Sequence, residues 1–283
     1  MNKKPLLVAI TLSALFLLPN FINYNINEDN GKITIHEKFD SSLTRLNSLS
    51  KLESYTDSLA LVKNILSGTL EYAVLANDVV SLRFYHKYAT QNLSENWIAS
   101  LAQKMTGLYL SSKITADDIL TRPYGYCGQQ NTVLMELLQR KKLDCRVLYP
   151  PHHFVIESYI NGKWYYFDAD EEPDIKIEQR SNEKWLYNAD SLALAYKSST
   201  PEVSNTFGNP VTFKFGKVNE IQGPRAQLFQ SITKILSRTA FLFPLVWYVS
   251  LKRKRQIATK NIQQTTQRWY YNFYRNERTG RRA

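Results

Sequence analysis

The dipeptide Asn161-Gly162 lies between two runs of aromatic and β-branched residues and constrains this chain more than any other feature. Asn-Gly supplies the two positive-φ residues of a type I′ turn, so its flanks are expected to pair as a two-residue hairpin. With Ile160 opposite Lys163, Val155 falls opposite Asp168 and His153 opposite Asp170. Alternation puts His153, Val155, Glu157, Trp164, Tyr166, Asp168 and Asp170 on one face and turns His152 to the other. The hairpin alone therefore selects His153, and it brings an Asp within direct or diagonal reach of it.

Upstream, Val133, Leu134, Leu137 and Leu138 recur at helical spacing, which predicts a helix over 128–142 with Cys127 at its start. Free N–H groups and the positive end of the dipole at a helix N-terminus favour thiolate, the form a cysteine nucleophile needs. Such a helix of about 14 residues travels about 21 Å. Cys145 then begins a strand-like segment near its far end, out of disulfide reach of Cys127. Eight extended residues span up to about 26 Å, enough to bring His153 back beside Cys127. Cys127, His153 and one of Asp168 and Asp170 thus converge as nucleophile, base and orienting acid. Each has a plainer reading as well. A lone Cys at a helix start is usually a small buried residue. The two histidines could belong to a loop, and either Asp could simply end a strand.

Both ends of the chain are apolar with basic flanks. Lys3 and Lys4 precede an apolar run from Pro5 to Leu18, which fits a signal peptide or, with no clear small-residue cleavage site, a signal anchor over 1–22. At the other end, 239–251 is apolar and is followed by Lys252, Arg253, Lys254 and Arg255. A segment over 232–251 reads either as a short second span or as an interfacial helix. Ten of the 36 Lys/Arg but one of the 25 acidic residues lie in 252–283, so the basic balance belongs to a tail and not to the body. Charge asymmetry puts both basic flanks in the cytoplasm and residues from about 22 to 231 outside. The expected location is a bacterial inner membrane. The aromatic-rich basic tail is expected to meet anionic lipid, not nucleic acid.

Between the ends, helical spacing runs from Ser41 to about Leu110, with helices expected over 70–88 and 94–109. A short alternating stretch over 31–36 reads as a strand. A helical stretch over 183–196 and a strand over 211–215 follow the central hairpin. Helices first, a compact β section and then helices give an α+β order, divided into a helical region over 23–110 and a core over 111–220. Two cysteines and four histidines show no HExxH or CxxC-type spacing, and there is no Walker loop or GxGxxG. No metal and no cofactor are expected.

The stretch from Asp117 to Glu171 resembles the core of the transglutaminase-like superfamily. The resemblance rests on Gly125-Tyr126-Cys127 opening a helix, Arg146-Val147 on a strand, His153 four before Glu157, and Trp164 four before Asp168. These spacings select His153 over His152 and Asp168 over Asp170. Phe154 directly after the His, Gly128 after the Cys and Ala169-Asp170 after the Asp depart from common family patterns. The resemblance implies a papain-like core with the Cys-bearing helix packed on an antiparallel sheet. It implies the triad Cys127, His153 and Asp168, with Glu157, Asp170 and Trp164 in support. It also implies an upstream side chain, Trp97 or Tyr126, as oxyanion donor beside the Cys127 N–H. The activity implied is acyl transfer or hydrolysis on a peptide or protein amide at the membrane, with hydrolysis favoured over cross-linking. The competing expectations are a non-catalytic binding or assembly module at the membrane and an NlpC-like amidase, which commonly orients its base with a second His.

Overall fold

The computed structural model describes residues 4–28, 38–181, 188–209, 211–220 and 222–280. The class is α+β, as the order of elements implies. The expected strand over 31–36 lies outside the described residues.

The body begins with α2 (Leu49–Val62) and α3 (Leu70–Arg83), capped by the Ser48 and Thr69 hydroxyls. The expected helix over 70–88 ends at Arg83, not Tyr88. There the chain extends into β1 (Tyr85–His86), which pairs in parallel with β2 (Tyr124–Gly125). The buried Arg83 guanidinium donates to the carbonyls of Leu120 (2.8 Å) and Arg122 (3.1 Å), tying this end of α3 to the chain that enters β2. After α4 (Leu93–Thr106) and α5 (Ala116–Leu120) comes α6 (Cys127–Arg140).

Next are β3 (Asp144–Tyr149), β4 (Val155–Ile160) and β5 (Lys163–Phe167). The β4–β5 register is the expected one, Ile160 against Lys163 through Ile156 against Phe167. Asn161 (φ 50) and Gly162 (φ 83) supply the turn. The ladder stops there, so Val155 and Asp168 do not pair as the ideal hairpin had them. Beyond lie α7 (Ala189–Ala195), α8 (Thr200–Phe207) and β6 (Lys214–Phe215). Within the expected helix over 183–196, α7 starts at the Asn188 side-chain cap, and 183–187 lie outside the described residues. Of the expected strand over 211–215, only Lys214 and Phe215 pair, completing the sheet order β5-β4-β3-β6.

Alternation covers the sheet on both faces. Val147, Ile156, Ile160 and Phe167 join Leu134, Leu137 and Leu138 of α6, and with them Leu52, Tyr72 and Val79 of α2 and α3. One core therefore crosses the expected boundary at residue 110. Leu148, Val155 and Tyr166 face the other way, onto Leu192, Val203 and Phe207 of α7 and α8. Each such side chain, fully buried, contributes about 1.5–3 kcal/mol.

The apolar ends meet. α1 (Lys4–Leu17) continues as a 3-10 turn to Phe21, and Lys4–Phe21 is long and apolar enough to cross a membrane, with mean hydropathy 1.6 over 18 residues. The segment expected over 232–251 is not one helix. α9 (Pro224–Thr239) and α10 (Leu242–Gly280) meet at a 60° bend. α9 lies on α4 through a buried polar stripe, Gln230, Thr233 and Ser237, spaced along one helix face. Asn96 Nδ2 donates to Thr233 Oγ1 (2.9 Å), and its Oδ1 accepts from Ser237 Oγ (3.1 Å) and from the Ala99 N–H (3.2 Å). In this way Asn96 leaves helical geometry (φ −164°) and recaps the rest of α4. Residues 232–239 thus belong to the body, and the apolar stretch after the bend continues without a break into the basic residues. α1 packs along α10. Since α1 runs into the body and α10 runs out of it, the two are antiparallel, with Lys4 toward the Lys252 cluster, beyond which α10 runs on to Gly280.

Candidate active site

Three local devices bring the site together. The first is the start of α6. Its capping Gln129 accepts from the Tyr126 N–H (3.2 Å) and donates to the carbonyls of Ala89 (2.7 Å) and Lys113 (2.9 Å). That fixes the Cys127 end of the helix against the preceding chain. The second is a turn over Pro150–His153, in which the His153 N–H reaches the Pro150 carbonyl (3.4 Å) and His152 takes φ 64°. Pro followed by a positive-φ residue is a type II arrangement. It, and not strand alternation, aims His153. The third is the end of β5, where Asp168 leaves the ladder.

These devices join Cys127, His153 and Asp168. His153 Nε2 lies 2.6 Å from Asp168 Oδ2. Cys127 Sγ, a His153 ring nitrogen and an Asp170 carboxylate oxygen all lie within 4.8 Å of one another. Because Asp168 holds Nε2, Nδ1 is left for the thiol. Burial lowers the His153 pKa, but the Asp168 carboxylate outweighs it and holds the imidazole well above its ordinary value. Burial likewise raises Asp168, yet His153 and the surrounding donors bring it below the usual carboxylate range.

Residues that sequence reasoning missed lock this pair. Asn131, one helical turn after Cys127, donates to the Cys127 carbonyl (3.0 Å), the Phe154 carbonyl (2.8 Å) and Asp168 Oδ1 (3.3 Å), and accepts from the Ala169 N–H (3.0 Å). One side chain therefore ties the Cys127 backbone and the backbone just after His153 to the Asp168 carboxylate. Its place four residues after Cys127 was a usable signal, since i and i+4 share a helix face. The Tyr196 hydroxyl donates to Asp168 Oδ2 (3.0 Å) and contacts the Tyr166 hydroxyl. No local signal marks Tyr196.

Asp170 lies close to both Cys127 and His153. It accepts from Gln130 Nε2 (2.6 Å) and lies 2.9 Å from His86 Nδ1. Burial raises its pKa. His86, Asp170 and Glu171 form a second group of nearby donor atoms that shares Asp170.

Of the expected oxyanion donors, Tyr126 directly precedes Cys127 and its phenol lies near it. Burial first, and then the neighbouring sulfur, raise its pKa, so it is a neutral donor. Trp97 is corrected. Its indole N–H donates to the Ser237 carbonyl (3.0 Å) and its ring stacks on Phe16, so it serves the junction with the terminal helices. Glu157 and Trp164 hold Arg146 instead of touching the triad, Glu157 Oε2 at 2.7 Å from its Nε and Trp164 stacked 4.2 Å from its guanidinium carbon. Cys145 is free and buried, and burial pushes its thiol up to about 12.

The site is closed: Cys127 is 2% exposed, and the side chains of His153 and Asp168 are 7% and 0% exposed. Tyr126, Phe154 near Gly128, and Phe207 at 5.6 Å from the His153 ring crowd it. Set against protein-family models, curated proteins and solved structures, the chain has no match, so a functional reading rests on this geometry.

Proposed function

We propose that the chain is a transglutaminase-like cysteine enzyme with a papain-like core, acting on a peptide or protein amide by hydrolysis or acyl transfer. The observation that carries the reading is the relay from Asp168 through the buried His153 to the thiol at the start of α6. In the first step Cys127 Sγ bonds to the amide carbonyl carbon, and the carbonyl oxygen takes the negative charge. The Cys127 backbone N–H and the Tyr126 hydroxyl are the donors for that oxyanion. The His153 imidazolium then gives its proton to the departing nitrogen, the C–N bond breaks and a thioester remains. Water, or an amine in a transfer reaction, attacks the thioester while His153 takes its proton, and the Cys127 thiolate leaves. His153 takes a carboxylate, Asp168, as its orienting partner, which disfavours the NlpC-like arrangement of a His-oriented base. In the same reading α1 crosses a bacterial inner membrane with Lys4 in the cytoplasm and the body outside, and the apolar start of α10 before Lys252, about 15 Å long and too short to span alone, packs against it.

The closed site favours a second reading, a binding or assembly module in which no amide reaches the sulfur. Alkylation decides between them. Iodoacetamide is applied across pH 5–9 and Cys127 and Cys145 are read separately by mass spectrometry. Rapid labelling of Cys127 near pH 6, slowed by His153→Ala while Cys145 stays inert, supports the enzyme. Equal labelling of both cysteines, or none of Cys127, leaves the binding module.

A further inference from the structure

We propose that Cys127, His153 and Asp170 form a site for one zinc ion that reversibly blocks the nucleophile. The triad leaves Asp170 without a task, yet its carboxylate is 2% exposed and within 4.8 Å of the Cys127 sulfur. A buried carboxylate there repels the thiolate that the triad is built to form. A divalent cation between them turns that repulsion into two bonds.

The donor set is one that selects the metal. Thiolate, imidazole and carboxylate together suit zinc, whereas calcium and magnesium take oxygen ligands. Donor atoms around a tetrahedral zinc lie about 3.5 Å apart. Drawing the three together from within 4.8 Å needs side-chain adjustment only. Water takes the fourth position, and the thiol proton leaves to solvent as the Zn–S bond forms.

The surroundings already have the form of an outer shell. A zinc-binding histidine usually fixes its second nitrogen on a carboxylate. His153 does so through Nε2 on Asp168, which leaves Nδ1 for the metal. Asp170 is positioned by Gln130 and His86. The neighbouring set His86, Asp170 and Glu171 shares Asp170 but lacks a thiolate, and it is the competing place for an ion.

The test uses the purified full chain in detergent, stripped with EDTA and titrated with zinc against a chromophoric chelator, with Cys127 alkylation followed in parallel. One ion should bind per chain, slow alkylation in step with occupancy, and release it again when EDTA is added. Cys127→Ala should abolish binding. Asp170→Asn should weaken it by at least about tenfold, and His86→Asn by about 10–100-fold as a check should Asp170→Asn fail to fold. Undiminished binding in Cys127→Ala puts the ion on the neighbouring set and overturns the proposal. So does a Cys127 that alkylates normally in excess zinc. The site does not depend on turnover: zinc held by a Cys127 of ordinary reactivity ends the enzyme reading and leaves the metal site standing.

Discussion

Two histidine–aspartate pairs flank one cysteine, and they are built differently. His153 and Asp168 are both buried, 2.6 Å apart, with Asn131 and Tyr196 donating to the same carboxylate. His86 is half exposed, its side chain 46% open, and meets Asp170 at 2.9 Å with Gln130 as the other donor. The first carboxylate is held below its ordinary pKa by partners that outweigh burial, while the second is raised because burial outweighs its partners. Burial acts on both in the same direction; the His153 charge beside Asp168 and its donors outweigh it there, whereas at Asp170 His86 does not and the Asp168 charge adds to it. The first pair is suited to holding an imidazolium beside a thiol. The second is suited to presenting a carboxylate to a cation.

The largest expected effect tests that division directly. His153→Ala should slow Cys127 alkylation at pH 6 by about a hundredfold, the difference between an ion-paired thiolate and an ordinary thiol. His86→Ala should slow it by no more than about threefold, because an exposed imidazole is screened by solvent. Comparable slowing in the two variants would erase the distinction.

Asp168→Asn should destabilise the fold by about 3–5 kcal/mol in urea unfolding at pH 6, since it breaks a buried pair. Its pH dependence has a definite sign. The raised His153 pKa gives stability that is complete below about pH 6.5 and is lost as pH rises through the folded value. The lowered Asp168 pKa gives stability that is complete above about pH 4 and is lost as pH falls through the folded value. The wild type should therefore gain most from the pair between about pH 4 and 6.5, and Asp168→Asn should flatten that window. An unchanged profile would mean that the pair does not form.

Tyr196→Phe removes one of the donors to Asp168 and should cost about 1–2 kcal/mol in the same assay, with Cys127 still more reactive than in His153→Ala. A stability loss with no change in alkylation would assign Tyr196 to packing alone. The smallest effect lies outside both pairs. Gly162→Ala forces a Cβ onto φ 83° and should cost about 1 kcal/mol while leaving alkylation unchanged.

Much of the site was legible because its signals are local. Asn161-Gly162 fixed the hairpin register through backbone torsion, and the apolar period after Cys127 fixed the helix and its start. Those two features place the cysteine and the hairpin, while the turn over Pro150–His153 and the chain leaving β5 aim His153 and Asp168. Where the reading went astray, tertiary forces had replaced local ones. Helix α3 stops at Arg83 because the Arg122 and Leu120 carbonyls hold its guanidinium, although the helical spacing continues. The apolar stretch before Lys252 bends at residue 240 because Gln230, Thr233 and Ser237 find polar partners on α4, which hydropathy cannot register.

The sequence by itself determined the hairpin, the helix that presents the cysteine, and the two apolar ends with their basic flanks. Each follows from torsional preference or periodicity over a few neighbouring residues. Only the tertiary structure decided that Asn131 staples the triad, that Tyr196 supports Asp168 from 28 residues away, and that His86 meets Asp170 across 84. Those partners are set by how the packed helices and sheet enclose the strand ends, where a buried carboxylate must take whichever donors the fold brings within reach.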